Sequence, residues 1–386
     1  HTLVGHFLFL LRLGSRRMIG YKFSTKEFLK NLTTLTSSYD RKVAHPDTLG
    51  YFCKKLDPEE LYQVKHKMAT RLIRMKALDK FRLLDKYFMI AIDGTGLVAY
   101  KERHCPHCLI KKKDGKVIYY HNVLEAKIVT SIGLTVSVES EFISNIDGKT
   151  KQDCELAAFY RLAPRLKKRF PQLSVCLLLD SLYAAAPVMN IAESYGWKYI
   201  TVFKKGSMPD RYDEFTKLKK LCPENKLEIR PSKVSQLYRW VEAIPHKGGH
   251  FNVVSLEETA IDKVTRFLWM TNLQVSRKNI IKIAKGGRLR WKIENEGFNI
   301  QKNRGFNLEH PYSQNEMAMK NFYLLLQIAY IISQLMEKGS LLKDKILKEF
   351  GSITALFEQL LEDLRTKIIS SGFPNKPIQI RLASFP

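Results

Sequence analysis

A chain of 386 residues is longer than one compact core usually holds, so two or three domains are expected. Its apolar fraction of 45% is that of a globular protein and excludes a disordered chain. The 64 basic and 38 acidic residues leave a charge of +26, spread as Lys111–Lys113, Lys167–Arg169, Lys204–Lys205, Lys217–Lys220 and Lys282–Lys292, which implies a polyanionic partner rather than one basic tail. Six cysteines are too few for a disulfide scaffold at this length and fit a reducing cytoplasm.

Residues 1–17 read as an upstream segment or fragment end, with Met18 a candidate initiator. The apolar stretch Leu3–Leu13 is too short to span a bilayer, and its basic residues follow it, so it is neither signal peptide nor anchor. Residues 18–85 form a basic helical module that could grip DNA or simply pack on a larger domain. Ser24-Thr-Lys-Glu27 and Asp57-Pro-Glu-Glu60 read as capping boxes, the second with Pro58 at the first helical position.

The period changes at Tyr87. Tyr87–Asp93 is an apolar run of strand length that ends in a carboxylate and is followed by Gly94-Thr-Gly96. Asp93-Gly94 reads either as a hairpin turn or as an acid presented at the end of a buried strand. Tyr119–Ile132 and Leu134–Ile143 continue an antiparallel meander, and Asp153–Phe170 is helical. Ser174–Asp180 repeats the first run's logic before a helical pattern at Leu182–Tyr195, so Asp180 is either that helix's N-cap or a second carboxylate at an equivalent strand end.

Lys198–Phe203 gives one more strand. From Lys204 the runs Leu227–Arg230, Gln236–Ala243, Phe251–Leu256 and Thr265–Asn272 read as a β-rich insertion over residues 204–273, dividing an α/β core of residues 86–203 and 274–337. Asn315–Glu337 is a strongly apolar helix. Residues 338–386 form a helical C-terminal region with an extended tail after Gly372.

The helix through Lys285–Asn303 puts charge where a core face is expected: Arg290, Glu294, Gly297 and Gln301 share one side. Arg preceding Glu at this spacing is the weaker orientation, contributing about 0.2–0.5 kcal/mol, so helix stability explains the pair poorly. A held carboxylate with a guanidinium able to grip phosphate explains it better. Asp93, Asp180 and Glu294 together would repel unless a cation lay among them, and their oxygens suit Mg²⁺ or Mn²⁺, one ion or two. Two such ions serve in-line phosphodiester displacement.

Arg290-Trp-Lys-Ile-Glu294, with Ala91-Ile-Asp93-Gly-Thr-Gly96 and Leu178-Leu-Asp180 upstream, resembles the ordered motifs of the IS4-type DDE transposases. The resemblance covers roughly Tyr87 to Gly305. It implies an RNase H-like mixed-sheet core interrupted by the β-rich insertion, with helical N- and C-terminal regions. It also implies Mg²⁺ on Asp93, Asp180 and Glu294, with Arg290 and the basic Lys292 and Lys302 on DNA phosphates. The function it implies is metal-dependent cleavage and strand transfer by a homodimer on double-stranded DNA, at an insertion sequence's terminal inverted repeats and its target. The setting would be a bacterial-type cytoplasm, at the nucleoid and away from membranes. A nuclease that cuts without joining, and a catalytically silent DNA-binding derivative, are the alternatives.

The chain departs from the family pattern twice. Gly287 stands where the family has Tyr, and Gln301 where it has Lys, with Lys302 one residue late. One residue is a rotation of about 100° on a helix, so Lys302 can serve only if a bulge near Gly297 absorbs the extra residue. Glu296 is a rival third acid without the Arg-x-x-x-Glu spacing. His104-Cys-Pro-His-Cys108, with His121, is a minor Zn²⁺ candidate because a single Cys-x-x-Cys lacks a second pair. Trp240 and Trp269 read as core of the insertion, or as bases' stacking partners.

Overall fold

Each of the two aspartate-tipped runs forms a strand buried on both faces, and the rest of the molecule is arranged around them. In the computed structural model, residues 1–36, 43–145, 152–231, 234–261, 263–340, 342, 345–369 and 381–382 are described. Helices α1 (Thr2–Leu10), α2 (Arg17–Lys22), α3 (Lys26–Thr36), α4 (Pro46–Lys55) and α5 (Pro58–Arg74) precede the sheet. Asp57 caps α5 as expected, accepting from Glu59 N at 3.0 Å with Pro58 in the first turn. The cap of α3 falls one residue later than expected: Thr25, not Ser24, accepts from the Phe28 amide.

Strand β1 (Phe88–Tyr100) does not turn at Asp93-Gly94. It runs on against β3 (Lys116–Val129), with Asp93 opposite Glu125 and Gly94 opposite Leu124, past a bulge between Gly96 and Val98. A turn would have exposed Leu97 and Val98, both buried, and broken that ladder. Short β2 (Leu109–Lys113) pairs the start of β3, and β4 (Thr135–Ile143) pairs its end.

Helix α6 (Glu155–Arg169) then crosses to β5 (Val175–Leu179), which lies parallel to β1. The helix expected over Leu182–Tyr195 is a 3-10 turn at Ser181–Tyr183 followed by α7 (Ala186–Ser194). Pro187, lacking an N–H, sits in the first turn of α7 and sets its start. Strand β6 (Lys198–Val202) is parallel to β5. The apolar runs are continuous because alternate side chains enter two different cores: Ala91 and Leu178 face one, Ile90, Ile92, Leu177 and Leu179 the other.

Residues 204–273 hold more than strands. Helix α8 (Pro209–Leu221), which the basic Lys217–Lys220 tract obscured, starts with Pro209 in its first turn and buries Phe215. Strands β7 (Lys226–Ile229), β8 (Ser235–His246), β9 (Gly249–Ala260) and β10 (Lys263–Thr271) follow as an antiparallel series. They are not a separate sheet: β10 pairs with β6, Trp269 opposite Val202, giving one ten-stranded mixed sheet.

The chain returns through α9 (Ile280–Arg288), a 3-10 turn at Leu289–Trp291, a π-helical segment at Ile293–Asn299 and α10 (Ile300–Asn303). Helix α11 (Glu316–Lys338) is buried over most of its length. It packs against α1, whose Leu8 and Phe9 join the same core; a methyl added at Gly5 would stand 2.9 Å from Leu325 Cδ1. A π-turn at Ile346–Phe350 leads to α12 (Ile353–Thr366), tied to α3 where Asn31 donates to the carbonyls of Leu364 and Lys367. The tail after Gly372 lies outside the described residues apart from 381–382. Among the described residues, no helix is long and apolar enough to cross a membrane.

Candidate active site

Strand register sets the site. Ala91 is level with Leu178 in the parallel β1–β5 pair; two residues further on, Asp93 lies within β1 on the face of Ala91, and Asp180 lies just past the end of β5. Neighbouring strands lie about 4.8 Å apart. The segment after α9 packs on that face through the partly buried Leu289 and the buried Ile293. This brings Arg290 and Glu294 to Asp93, with Arg290 bordering the same cleft as Asp180.

Arg290 is buried, and its Nη1 lies 3.2 Å from Asp93 Oδ2 and 2.8 Å from Glu294 Oε1. The i,i+4 pair is therefore a bridge from helix to strand rather than a surface ion pair. Burial pushes the Asp93 carboxyl up to about 7; a hydrogen bond shared with Glu294 adds to this, and Arg290 opposes it without prevailing. Asp180 acts as an N-cap, of a short turn rather than of the expected helix. Its Oδ1 caps the 3-10 turn by accepting from Leu182 N at 2.8 Å, and its side chain also borders a cleft of ≈ 690 Å³.

A fourth carboxylate joins them. Glu155, the first residue of α6, sits so close over β1 that a Cβ on Gly94 would lie 2.3 Å from its Oε1. Burial and the neighbouring Asp180 charge both raise its carboxyl above the ordinary range. In sequence Glu155 looked like an ordinary first-turn acid; the glycines after Asp93 were the only sign that something needed room there.

The cleft beside Asp180 and Arg290 is walled by Lys204, Lys205, Arg266 and Arg288. Trp291, half exposed, also lines it, with the Arg290 guanidinium 4.7 Å from its ring centre. Sequence reasoning missed this tryptophan and weighed two others. Trp240 and Trp269 are both buried, Trp269 in the wall of this same cleft.

The two departures from the motif have local causes. A Cβ at Gly287 would meet the Trp269 indole at 2.7 Å, so this helix position is pressed against an aromatic ring already in place. Gln301 is fully buried, exchanging hydrogen bonds with Gln327 of α11, which also accepts from Lys127 Nζ at 2.9 Å. The expected bulge is present as the π-helical turn at Ile293–Asn299, which contains Gly297. Lys302 after it pairs with Glu309 at 2.7 Å, and Glu309 in turn reaches to within 3.9 Å of a Cβ built on Gly96 in β1. Lys292 pairs with Glu296 at 3.1 Å. Glu296 itself packs on Gly133, and its carbonyl accepts from Tyr330, which places it outside the acid cluster.

His104, Cys105, Cys108 and His121 are also brought together, at the far end of β1. No protein-family model matches the chain, and a search of curated proteins found none significantly similar to it.

Proposed function

We propose that this protein is a DNA transposase of the IS4 DDE type, which cuts DNA at the ends of an insertion sequence and joins it to a target. The observation that carries the reading is Asp93 held with Glu294 through one nitrogen of Arg290, two residues beyond the level at which β1 pairs with β5, the strand that Asp180 follows. A meander of antiparallel strands followed by two parallel crossovers supports an RNase H-like core, and the π-helical turn supports the carry-over of Lys302.

The donor set fits a hard divalent ion. Asp93 and Glu294 share the Arg290 guanidinium, Glu155 is near enough to Asp93 and Asp180 for their charges to act on one another, and oxygen-only ligands suit Mg²⁺ or Mn²⁺. Asp93, Asp180 and Glu294 would hold the metal, which supplies Lewis acidity to the attacking and leaving oxygens of a phosphodiester. Arg290 fixes Asp93 and Glu294 relative to each other and keeps them oriented into the site. Lys204, Lys205, Arg266 and Arg288 hold the DNA backbone along the cleft by charge, and Trp291 offers a face for a base unstacked near the scissile bond. The overall +26 charge brings the duplex to the surface.

The test is cleavage of a labelled duplex carrying the native flanking DNA, with Mg²⁺ or EDTA. The wild type is expected to nick at the element boundary only with Mg²⁺, and Asp180→Asn to lose more than about 100-fold in rate while still binding the duplex. Specific cutting without joining to a target would favour the nuclease; binding with no cutting under any divalent ion would leave a catalytically silent DNA-binding protein.

A further inference from the structure

We infer that His104, Cys105, Cys108 and His121 form a closed structural zinc site, separate from the carboxylate cluster. The four ligand atoms all lie within 4.8 Å of one another. Cys105 Sγ is 3.4 Å from Cys108 Sγ and 3.4 Å from His121 Nε2; Cys108 Sγ is 3.4 Å from His104 Nδ1 and 3.5 Å from His121 Nε2. With Zn–S near 2.3 Å and Zn–N near 2.0–2.1 Å, the edges of a tetrahedral Cys₂His₂ site are roughly 3.4–3.8 Å. Four of the six edges fall at or close to this range and the other two are no longer than 4.8 Å, so one ion of that size fits the space the side chains enclose after a small closing movement of His104.

The spacing that made the motif weak in sequence is completed by the fold. His104, Cys105 and Cys108 come from the loop between β1 and β2, and the fourth ligand comes from β3, where His121 lies opposite Val98 just past the β1 bulge. Cys108 and His121 are both buried, so these donors sit inside the fold, away from chance surface contact. The loop is held in its fold by side-chain bonds to backbone carbonyls, two of them made with Asn145 beyond β4. Arg103 donates to the carbonyls of Cys105 and Pro106, Asn145 Nδ2 donates to the Cys108 carbonyl at 2.8 Å, and the His107 ring bonds the Asn145 carbonyl at 2.7 Å.

Two thiolates neutralise a dication, so the site adds no net charge to a buried place, and four protein ligands leave no open position for a substrate. Its work is mechanical. Zinc there would pin the loop to β3 at the root of the β2–β3 hairpin, which carries Lys111, Lys112, Lys113 and Lys116 exposed to solvent. A basic hairpin fixed against the sheet presents its charges at a constant position, which a loose loop would not. Soft sulfur and imidazole donors also distinguish this site chemically from the all-oxygen cluster on Asp93, Asp180 and Glu294.

The full chain, stripped with EDTA under reducing conditions and dialysed against Zn²⁺, is expected to retain about one zinc per chain by elemental analysis. Reconstitution with Co²⁺ should give the intense visible bands of a tetrahedral thiolate site. The double variant Cys105→Ser/Cys108→Ser should lose both signals. His104→Ala, at a half-buried position less apt to disturb folding, should weaken zinc retention by about 10-fold or more. Asp93→Asn/Glu294→Gln should leave stoichiometry and spectrum unchanged. A chain that retains no zinc, or Cys-to-Ser and His-to-Ala variants that retain as much as the wild type, would overturn the assignment.

Discussion

Lys127 shows how one side chain can record its surroundings. It is fully buried on β3, donates to Gln327 and lies over the rings of Phe298 and Tyr330. Burial lowers its ammonium to about 8, against the pull of Glu125 and with a smaller push from Lys65. A depressed folded-state pKa means that the unfolded chain binds more protons between about 8 and the ordinary lysine value, so this residue's contribution to stability rises with pH across that window and is lost as pH falls through 8. The swing is on the order of 3 kcal/mol. Unfolding in denaturant at pH 7.5 and pH 10 should therefore show the wild type gaining on Lys127→Met; a constant difference between the two proteins would contradict the assignment. The same group accounts for Gln301, because a lysine there would set a second buried cation beside the first with Gln327 as their shared acceptor.

At the scale of elements, the decisive contact is that of α9 and the turn after it with the sheet. Gly287 lets the helix approach the Trp269 indole on β10, and Trp269 stacks on Phe267 with ring planes 2° apart and 5.6 Å between centres. Arg288 lies over Phe267 at 4.8 Å, completing the wall of the cleft. Gly287→Ala should force the buried indole to move and cost about 1–3 kcal/mol. Pairing it with Trp269→Phe, which frees the space, should recover part of that loss, and chemical denaturation of the four proteins of the cycle measures the coupling. Additive losses would mean that the helix, not the ring, yields.

For the whole molecule, the N-terminal helices are part of the main core rather than an appended module. Leu8, Phe9, Leu11 and Leu13 are buried in the same apolar cluster as α11, and Tyr62 and Lys65 of α5 bond to Ser140 on β4. A chain begun at Met18 would forfeit roughly 1.5–3 kcal/mol for each of those four side chains, together comparable to the 5–15 kcal/mol that holds most domains folded. Expressed from Met18, the protein is expected to be insoluble or to lose its cooperative melting transition; an unchanged transition would show that α1 contributes little.

How much of this was legible in the sequence depended on whether the signal was local. Continuous apolar runs determined β1 and β5 and put an acid at the end of one and within the other, because strands buried on both faces carry no polar alternation. Arg290 and Glu294 were likewise visible from helical spacing, and Asp57-Pro58 from its capping chemistry. What needed the tertiary structure was anything made by residues distant along the chain. Asp93 continues a strand instead of turning because its ladder with β3 supplies hydrogen bonds that Asp-Gly alone cannot reveal. Residues 204–273 extend the main sheet because β10 pairs with β6. Glu155 joins the acids across Gly94, and His121 completes the histidine–cysteine tetrad from a neighbouring strand. Local composition determines which segments become strands and helices, whereas strand register and helix packing decide which of their side chains meet.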